Sequence, residues 1–264
     1  MKIYLVFCKD DRMLNRFIRP LALVIFTCSI APFSLADDDI NLQIISEENP
    51  PYNFTKDDEF QGLAVDLLAE MLKRITRKFG VSEIKIMPWE DGYRLLKEKP
   101  NVVLFSTTRT KGRENQFKWV CPIATDKAEL VSLKSRGIKI DSKTDLLNYK
   151  IGTVRHSAGE QLLLDLGVSP QALDYTSYAS LYKNLTNKNV DIIAFNLEVI
   201  QRLAQVAGMS PQNYESIYLL SESELCYAFN KSTSSTVVEN FQKAMDEMIA
   251  SGTHKKITTQ YIQN

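Results

Sequence analysis

Short apolar runs alternate with amphipathic stretches along most of the chain. Residues 62–79 repeat their apolar side chains at helical spacing and are followed by Gly80, which predicts a helix that ends there. Residues 102–106 begin with four consecutive apolar residues and are typical of a buried strand. Strands separated by helices in this way favour parallel sheets covered on both faces, so the pattern predicts an α/β fold.

The alternating elements form two series. The first runs to about residue 126 and the second from 150 to 207, after which a strand at 225–230 and a helix at 233–251 return. Strand-like crossings near 127–136 and 218–227 join them. The sequence therefore predicts two doubly wound lobes joined by two hinge strands. Ligands of such folds bind beyond the carboxyl ends of strands, where helix N-termini point.

Residues 1–36 have the three-part pattern of a secretory signal peptide. Basic residues precede an apolar run at 21–26, and Ser34 and Ala36 place small side chains at a cleavage site after Ala36. The run is shorter than the roughly 20 residues that span a bilayer, although an uncleaved anchor remains the alternative. The basic segment before the run is long, and a start at Met13 would give an ordinary signal. The leader predicts a periplasmic protein.

The charge balance excludes one class of partner. The whole chain has 32 basic and 32 acidic residues, and residues 1–36 hold five and two of these, so the remainder has a net charge of −3. Nucleic-acid binding requires a basic face, so no nucleic-acid partner is expected. The sequence also contains no metal-ligand cluster and no cofactor motif, and we predict neither a metal nor a cofactor.

Two cysteines follow the leader, Cys121 and Cys226. An oxidising compartment permits a disulfide between them, and two separate buried thiols are the alternative. Sequence spacing does not decide between these two states.

Several segments, in order, resemble the periplasmic solute-binding proteins of family 3, the polar amino-acid-binding group with the type II periplasmic binding fold. They are PPYNF at 50–54, GLAVDLL at 62–68, STTRTKGR at 106–113, IGTVRHSA at 151–158, VDIIAFN at 190–196 and SGT at 251–253. The resemblance covers nearly all of residues 41–262.

The resemblance implies a monomeric binding protein with no catalytic residues, whose lobes close on a small solute. One lobe would comprise 37–126 plus 227–264, and the other, with the hinge strands, 127–226. The closed form would be recognised by an ABC transporter permease or by a membrane receptor. A ligand that touches both lobes favours the closed state by a shift of population.

The family's carboxylate-binding segment corresponds to residues 106–113. The resemblance implies that Arg113 holds a ligand carboxylate through two parallel hydrogen bonds, which suit its planar and permanently charged group. A solvated arginine is the alternative. Ser106 and Thr108 would donate further hydrogen bonds to the carboxylate. Arg109 would either meet a second acidic group or pair with a surface carboxylate.

The second lobe and two aromatic residues would complete the site. Ser157 and Ala158 begin a helix whose free N–H groups can hold an anion, although Ser157 is also a plain N-cap candidate. Tyr52 and Trp89 would offer aromatic faces to a small polar ligand, or else belong to the core.

Asn196 departs from the family pattern. Amino-acid binders of this family usually have an Asp at this place, which holds the ligand's ammonium, and a neutral Asn is a poorer partner for a buried cation. Either Glu198 compensates or the ligand lacks a free α-amino group. A small carboxylate-bearing solute is expected in both cases.

An enzyme is the rival class. The sequence has two histidines, His156 and His254, far apart and without a nucleophile motif. Some proteins of this fold are cyclohexadienyl-type dehydratases, which need few special residues. A periplasmic sensor that docks a receptor would use the same cleft.

Overall fold

The computed structural model describes residues 42–75 and 81–262. The chain divides into a short unit, Met1–Asp39, and a main unit, Ile40–Asn264, and the fold given below is that of the main unit. The predicted signal peptide at 1–36, its cleavage after Ala36 and the alternative start at Met13 lie outside the described residues.

The first half of the fold contains short strands and two helices that lead into one very long strand. In chain order the elements are β1 (Gln43–Ser46), β2 (Phe54–Lys56), β3 (Glu59–Gln61), α1 (Leu63–Ile75), β4 (Lys85–Ile86), α2 (Trp89–Glu98), β5 (Val102–Thr108) and β6 (Phe117–Leu133).

The second half repeats the alternation and returns through another long strand. Its elements are β7 (Ile151–Thr153), α3 (Ala158–Asp165), β8 (Leu173–Tyr175), α4 (Tyr178–Thr186), β9 (Ile192–Phe195), α5 (Leu197–Val206), β10 (Tyr214–Asn230), α6 (Ser235–Ala250) and α7 (Thr253–Tyr261).

Eight strands form one sheet in the order β4-β1-β5-β10-β6-β9-β7-β8, and β2 and β3 form a separate hairpin. The outer strands pair in parallel, β4-β1-β5 at one end and β9-β7-β8 at the other. Between them β6 and β10 pair antiparallel from Phe117↔Asn230 to Leu133↔Tyr214. The predicted α/β fold of two wound lobes joined by two strands is confirmed. Strands β6 and β10 join the two parallel ends into one continuous sheet.

The two joining strands are longer than the sequence predicts. The apolar pattern predicts strands at 127–134 and 225–230 and strand-like crossings near 127–136 and 218–227, whereas β6 and β10 each run for 17 residues. The middle of β10 contains the polar run Ser221, Glu222, Ser223 and Glu224. A strand held by backbone pairing to its neighbour does not require an apolar pattern, so the sequence signal is weak there.

Helix α1 shows how the fold positions part of the site. Its apolar stripe, including Leu67, Leu68 and Met71, is fully buried, and each such side chain contributes roughly 1.5–3 kcal/mol relative to exposure. Gly62 precedes the helix with φ 134°, and a Cβ there would lie 2.4 Å from the carbonyl oxygen of Tyr52. A glycine at 62 is therefore what lets the Tyr52 segment pack against the start of α1.

Buried apolar residues form three clusters on the faces of the sheet. The first packs α1 and α6 against the sheet, and the second gathers residues of α2, α4 and α5. The third covers β7 and β9 with Leu163 of α3. Within the described residues, no helix has both the length and the apolar character that a bilayer crossing requires.

Cys121 of β6 and Cys226 of β10 are joined by a disulfide, with their Cα atoms 4.8 Å apart. The bond therefore links the two long strands across a sequence separation of 105 residues. Of the two states left open by the sequence, the structure contains the bonded one.

Candidate functional site

A narrow cavity lies where β5, β6 and the N-termini of α3 and α5 converge. Its free space is about 30 Å³, room for little more than water, so a solute enters only when the walls move apart. The lining residues that carry polar groups or aromatic rings are Asn49, Tyr52, Trp89, Ser106, Thr108, Arg113, Asp126, Lys127, Ser157, Tyr178, Phe195 and Asn196.

Arg113 forms a buried wall of this cavity. The residue is 1% exposed, and its guanidinium donates to the carbonyl oxygens of Thr108 at 3.1 Å and His156 at 2.7 Å. The guanidinium carbon lies 5.7 Å from the ring centre of Trp89 and 5.2 Å from that of Tyr93, within the range of cation–π attraction.

The electrostatics of Arg113 are unusual for a buried cation. Its Nε has no hydrogen-bond partner, and within residues 42–75 and 81–262 no carboxylate oxygen lies within 4.0 Å of the guanidinium. Burial lowers the pKa of Arg113. Asp126 acts on Arg113 only from beyond contact distance. Since a buried charge without a counter-charge in contact is costly, this position favours an anionic partner.

Ser106 and Thr108 end strand β5 in the cavity wall. Ser106 has φ 57°, and its hydroxyl donates to the side-chain oxygen of Asn53. The Thr108 hydroxyl donates to Asp126 Oδ2 at 2.7 Å. Both hydroxyl protons therefore go to protein acceptors, and neither is available to a ligand carboxylate with these side chains as they stand.

Ser157 and Ala158 lie at the N-terminus of α3. The Ser157 hydroxyl accepts from the Glu160 N–H at 3.1 Å, which makes it an N-cap as well as a cavity residue. A Cβ on Gly159 would lie 2.3 Å from the carbonyl oxygen of Ala194. The glycine thus lets α3 approach β9 closely, and the start of the helix dipole faces the cavity.

Tyr52 and Trp89 are both buried and both line the cavity. Trp89 is the first residue of α2, and its Nε1 has no hydrogen-bond partner. Their position in the cavity wall is compatible with the predicted contact to a ligand, which stays a prediction, and their burial also makes them part of the core.

Asn196 is the N-cap of α5. Its Oδ1 accepts from the Val199 N–H at 3.1 Å, and its Nδ2 donates to Asp126 Oδ1 at 3.0 Å. Asp126 is 8% exposed, and burial raises the pKa of its carboxyl, against the lowering effect of the hydrogen bonds from Thr108 and Asn196. The cavity therefore holds a carboxylate as well as Arg113.

Two residues considered from the sequence lie elsewhere. Arg109 does not line the cavity; its guanidinium is 2.6 Å from Glu114 and 3.7 Å from Glu224, and the hydrogen bond to Glu114 raises its pKa. Of its two predicted roles, the structure shows pairing with surface carboxylates. Glu198 is bound to Arg202 at 2.8 Å and does not compensate for Asn196.

Asp126, Tyr178 and Phe195 also line the cavity, and the sequence patterns do not mark them as site residues. The rings of Tyr178 and Phe195 pack with their centres 4.6 Å apart in the cavity wall. The sequence signal for Asp126 is a single acidic residue directly before the strand predicted at 127–134. Tyr178 is the first residue of a helix, and nothing local marks it as a site residue.

Three contacts beside or at the cavity link residues of α2 and of the segment after β5 to residues at the start of α3. Arg113 reaches the His156 carbonyl, as described, and Thr110 Oγ1 donates to Gln161 Oε1 at 2.8 Å. Arg155 Nε lies 3.6 Å from Glu90. These contacts hold the two sides together around the site.

Solved structures with the same architecture include a binding protein, a putative ABC transporter protein and a sensor domain. The arginine-, lysine-, histidine-binding protein ArtJ from Geobacillus stearothermophilus is 17% identical, covers 84% of this chain and 96% of its own, and has a TM-score of 0.69. A putative L-cystine ABC transporter from Listeria monocytogenes is 17% identical, with coverages of 83% and 94% and a TM-score of 0.70.

A histidine kinase sensor domain with similarity to periplasmic binding proteins is 14% identical, with coverages of 84% and 96% and a TM-score of 0.71. At such identities these likenesses show the fold, that of type II periplasmic binding proteins. No curated protein sequence matches the chain.

The model of the bacterial extracellular solute-binding proteins, family 3, matches residues 42–264, and the chain belongs to that family. The family resemblance predicted from the sequence is therefore confirmed.

Proposed function

We propose that the protein is a periplasmic substrate-binding protein that closes on a small carboxylate-bearing solute, an amino acid or a related compound, and delivers it to an ABC transporter. The observation that carries this proposal is Arg113, a buried cation in the cavity wall with a free Nε and no described carboxylate in contact. A ligand carboxylate would supply the missing counter-charge.

The topology supports closure about β6 and β10. The lobes would comprise residues 37–126 plus 227–264 and residues 127–226, since β5 pairs with β10 at 103–108 and β9 pairs with β6 at 129–132. With about 30 Å³ of free space, the described state corresponds to the closed form, and a solute would bind by way of an opened one.

The test uses the mature chain, residues 37–264, and two matched arginine variants. Thermal shift against the L-amino acids, simple organic acids and amines identifies a ligand, and calorimetry measures its affinity. Arg113→Ala should weaken carboxylate binding at least about 100-fold, because it leaves a desolvated charge without its partner. Arg109→Ala removes an equal charge outside the cavity and should leave affinity unchanged. Equal effects of the two variants would contradict the proposal.

A sensor is the second candidate, and the histidine kinase sensor domain of the same fold is the observation that favours it. The binding step is the same, and the membrane partner differs. Crosslinking of the ligand-bound protein in cells, followed by identification of the attached partner, distinguishes a permease from a receptor. A dehydratase would instead convert its ligand, and NMR of the released compound would show the change.

The leader supports export to the periplasm with cleavage after Ala36, and translation from Met13. The intact mass of the protein recovered from the periplasmic fraction tests the cleavage site. A precursor peptide from residues 1–12 would contradict the Met13 start. Gel filtration tests the expected monomer.

A further inference from the structure

Asp126 is a buried acidic residue in the cavity wall, and burial of a carboxylate is costly unless it is paired or hydrogen-bonded. It lies on β6 opposite Ser223 of β10, and it is 8% exposed. Thr108 donates to one carboxylate oxygen at 2.7 Å and Asn196 donates to the other at 3.0 Å. These two hydrogen bonds fix the carboxylate's orientation in the cavity wall.

The carboxylate keeps unused acceptor capacity. Each oxygen has two lone-pair sites, and each receives one of the two hydrogen bonds described. In the described part of the chain no Lys, Arg or His nitrogen lies within 4.0 Å of it. Its neighbour Lys127 is directed to Glu222, at 4.0 Å. A buried carboxylate that accepts two hydrogen bonds, and that has no described cation in contact, is suited to bind a cationic group of a ligand.

The two other candidates for that role are already engaged. Both ends of the Asn196 amide are used, one by the Val199 N–H and the other by Asp126. Glu198 is held by Arg202. Asn196 is therefore a positioning residue, and it presents Asp126 rather than binding a cation itself.

We propose that Asp126 is the counter-charge for the ligand's ammonium group and that Arg113 is the counter-charge for its carboxylate. The acidic residue expected at position 196 is thus replaced in this role by Asp126 on strand β6. Asp126 is the residue that determines specificity for a zwitterionic α-amino acid. This inference rests on the proposed function, because it presumes that Arg113 binds a carboxylate.

The experiment compares the L-α-amino acids with the matched carboxylic acids that lack the amino group, by calorimetry on the mature chain. Wild-type protein should prefer the amino acid. Asp126→Asn should weaken amino-acid binding at least about thirty-fold, the typical consequence of removing one partner of a buried charge pair. Binding of the desamino acid should stay within about threefold, since it has no ammonium group for Asp126 to bind.

Two further variants make the result specific. Glu222→Gln removes one negative charge from an exposed position on β10 and should change neither affinity. The double variant Asp126→Asn with Asn196→Asp returns the acid to the family's usual place and should restore at least part of the preference for the amino acid. A retained melting temperature in each variant shows that folding is not the cause.

The failures are distinguishable. Wild-type protein that binds carboxylates with or without an amino group leaves the proposed function intact and overturns this inference. So does an Asp126→Asn variant that weakens both ligands equally, because Asp126 would then act only as a distant counter-charge for Arg113. Wild-type protein that binds no carboxylate overturns the proposed function and this inference together.

Discussion

Arg109 and Arg113 are four residues apart in the sequence. Their surroundings in the folded protein are opposite. Arg109 is about one-third exposed and bonded to Glu114 and close to Glu224. Arg113 is 1% exposed and bonded to two backbone carbonyls, between aromatic rings. Their pKa values shift in opposite directions, up for Arg109 because of Glu114 and down for Arg113 because of burial. An arginine that is already paired with protein carboxylates would gain little from binding a ligand carboxylate. An arginine with no carboxylate in contact can still form that ion pair.

The largest expected effect concerns what holds the exposed Arg109 region together. Replacing Cys121 and Cys226 with Ala should lower the free energy of unfolding by about 3–5 kcal/mol, because the lost bond closes a long loop. Arg109 Nη1 lies 3.8 Å from Cys121 Sγ, so the disulfide belongs to this region. Urea titration measures the change, and an unaltered midpoint would mean that the ion pairs, not the covalent bond, hold the region.

A smaller effect is expected from Arg113→Lys, which keeps the charge and removes the planar fork. Carboxylate affinity should fall by roughly 2–3 kcal/mol, because one ammonium cannot form two parallel hydrogen bonds to a carboxylate from the same position. Calorimetry with the ligand found by screening measures it. Affinity within threefold of wild type would show that the ligand requires a positive charge at position 113 and not the planar geometry of the guanidinium.

The smallest effect is expected for the exposed pair itself. A double-mutant cycle of Arg109→Ala and Glu114→Ala should give a coupling energy below about 1 kcal/mol, because solvent screens exposed ion pairs. Thermal or urea unfolding of the four proteins provides the cycle. A coupling energy of several kcal/mol would show that the exposed Arg109–Glu114 pair is strongly bound, and would contradict the view that only the buried Arg113 has a large interaction energy to offer.

The sequence predicted the wound lobes because their strands and helices carry strong apolar patterns. It underestimated the length of β6 and β10, because their paired middle sections include polar residues, among them Asp126, Lys127 and Glu222, that weaken the apolar pattern. The family pattern pointed to Arg113. Local sequence did not separate it from Arg109, since Glu224 reaches Arg109 from 115 residues away.

Asp126 was missed for a related reason. Its meaning depends on Asn196, which is 70 residues away along the chain. The substitution at 196 was visible in the sequence, and the acid that accompanies it was not, because strand pairing and the start of α5 bring the two residues together only in the folded protein.

The contacts that link the two sides of the cavity have a consequence for how tightly a solute is held. Arg113 donates to the His156 carbonyl and Thr110 donates to Gln161, while Arg155 and Glu90 form an exposed ion pair. Opening of the cavity in the proposed binding cycle breaks these contacts, so the observed dissociation constant should equal the intrinsic constant divided by the fraction of open molecules. At roughly 1 kcal/mol net for each hydrogen bond and less for the exposed pair, the contacts should raise the observed constant by roughly 30-fold over the intrinsic one.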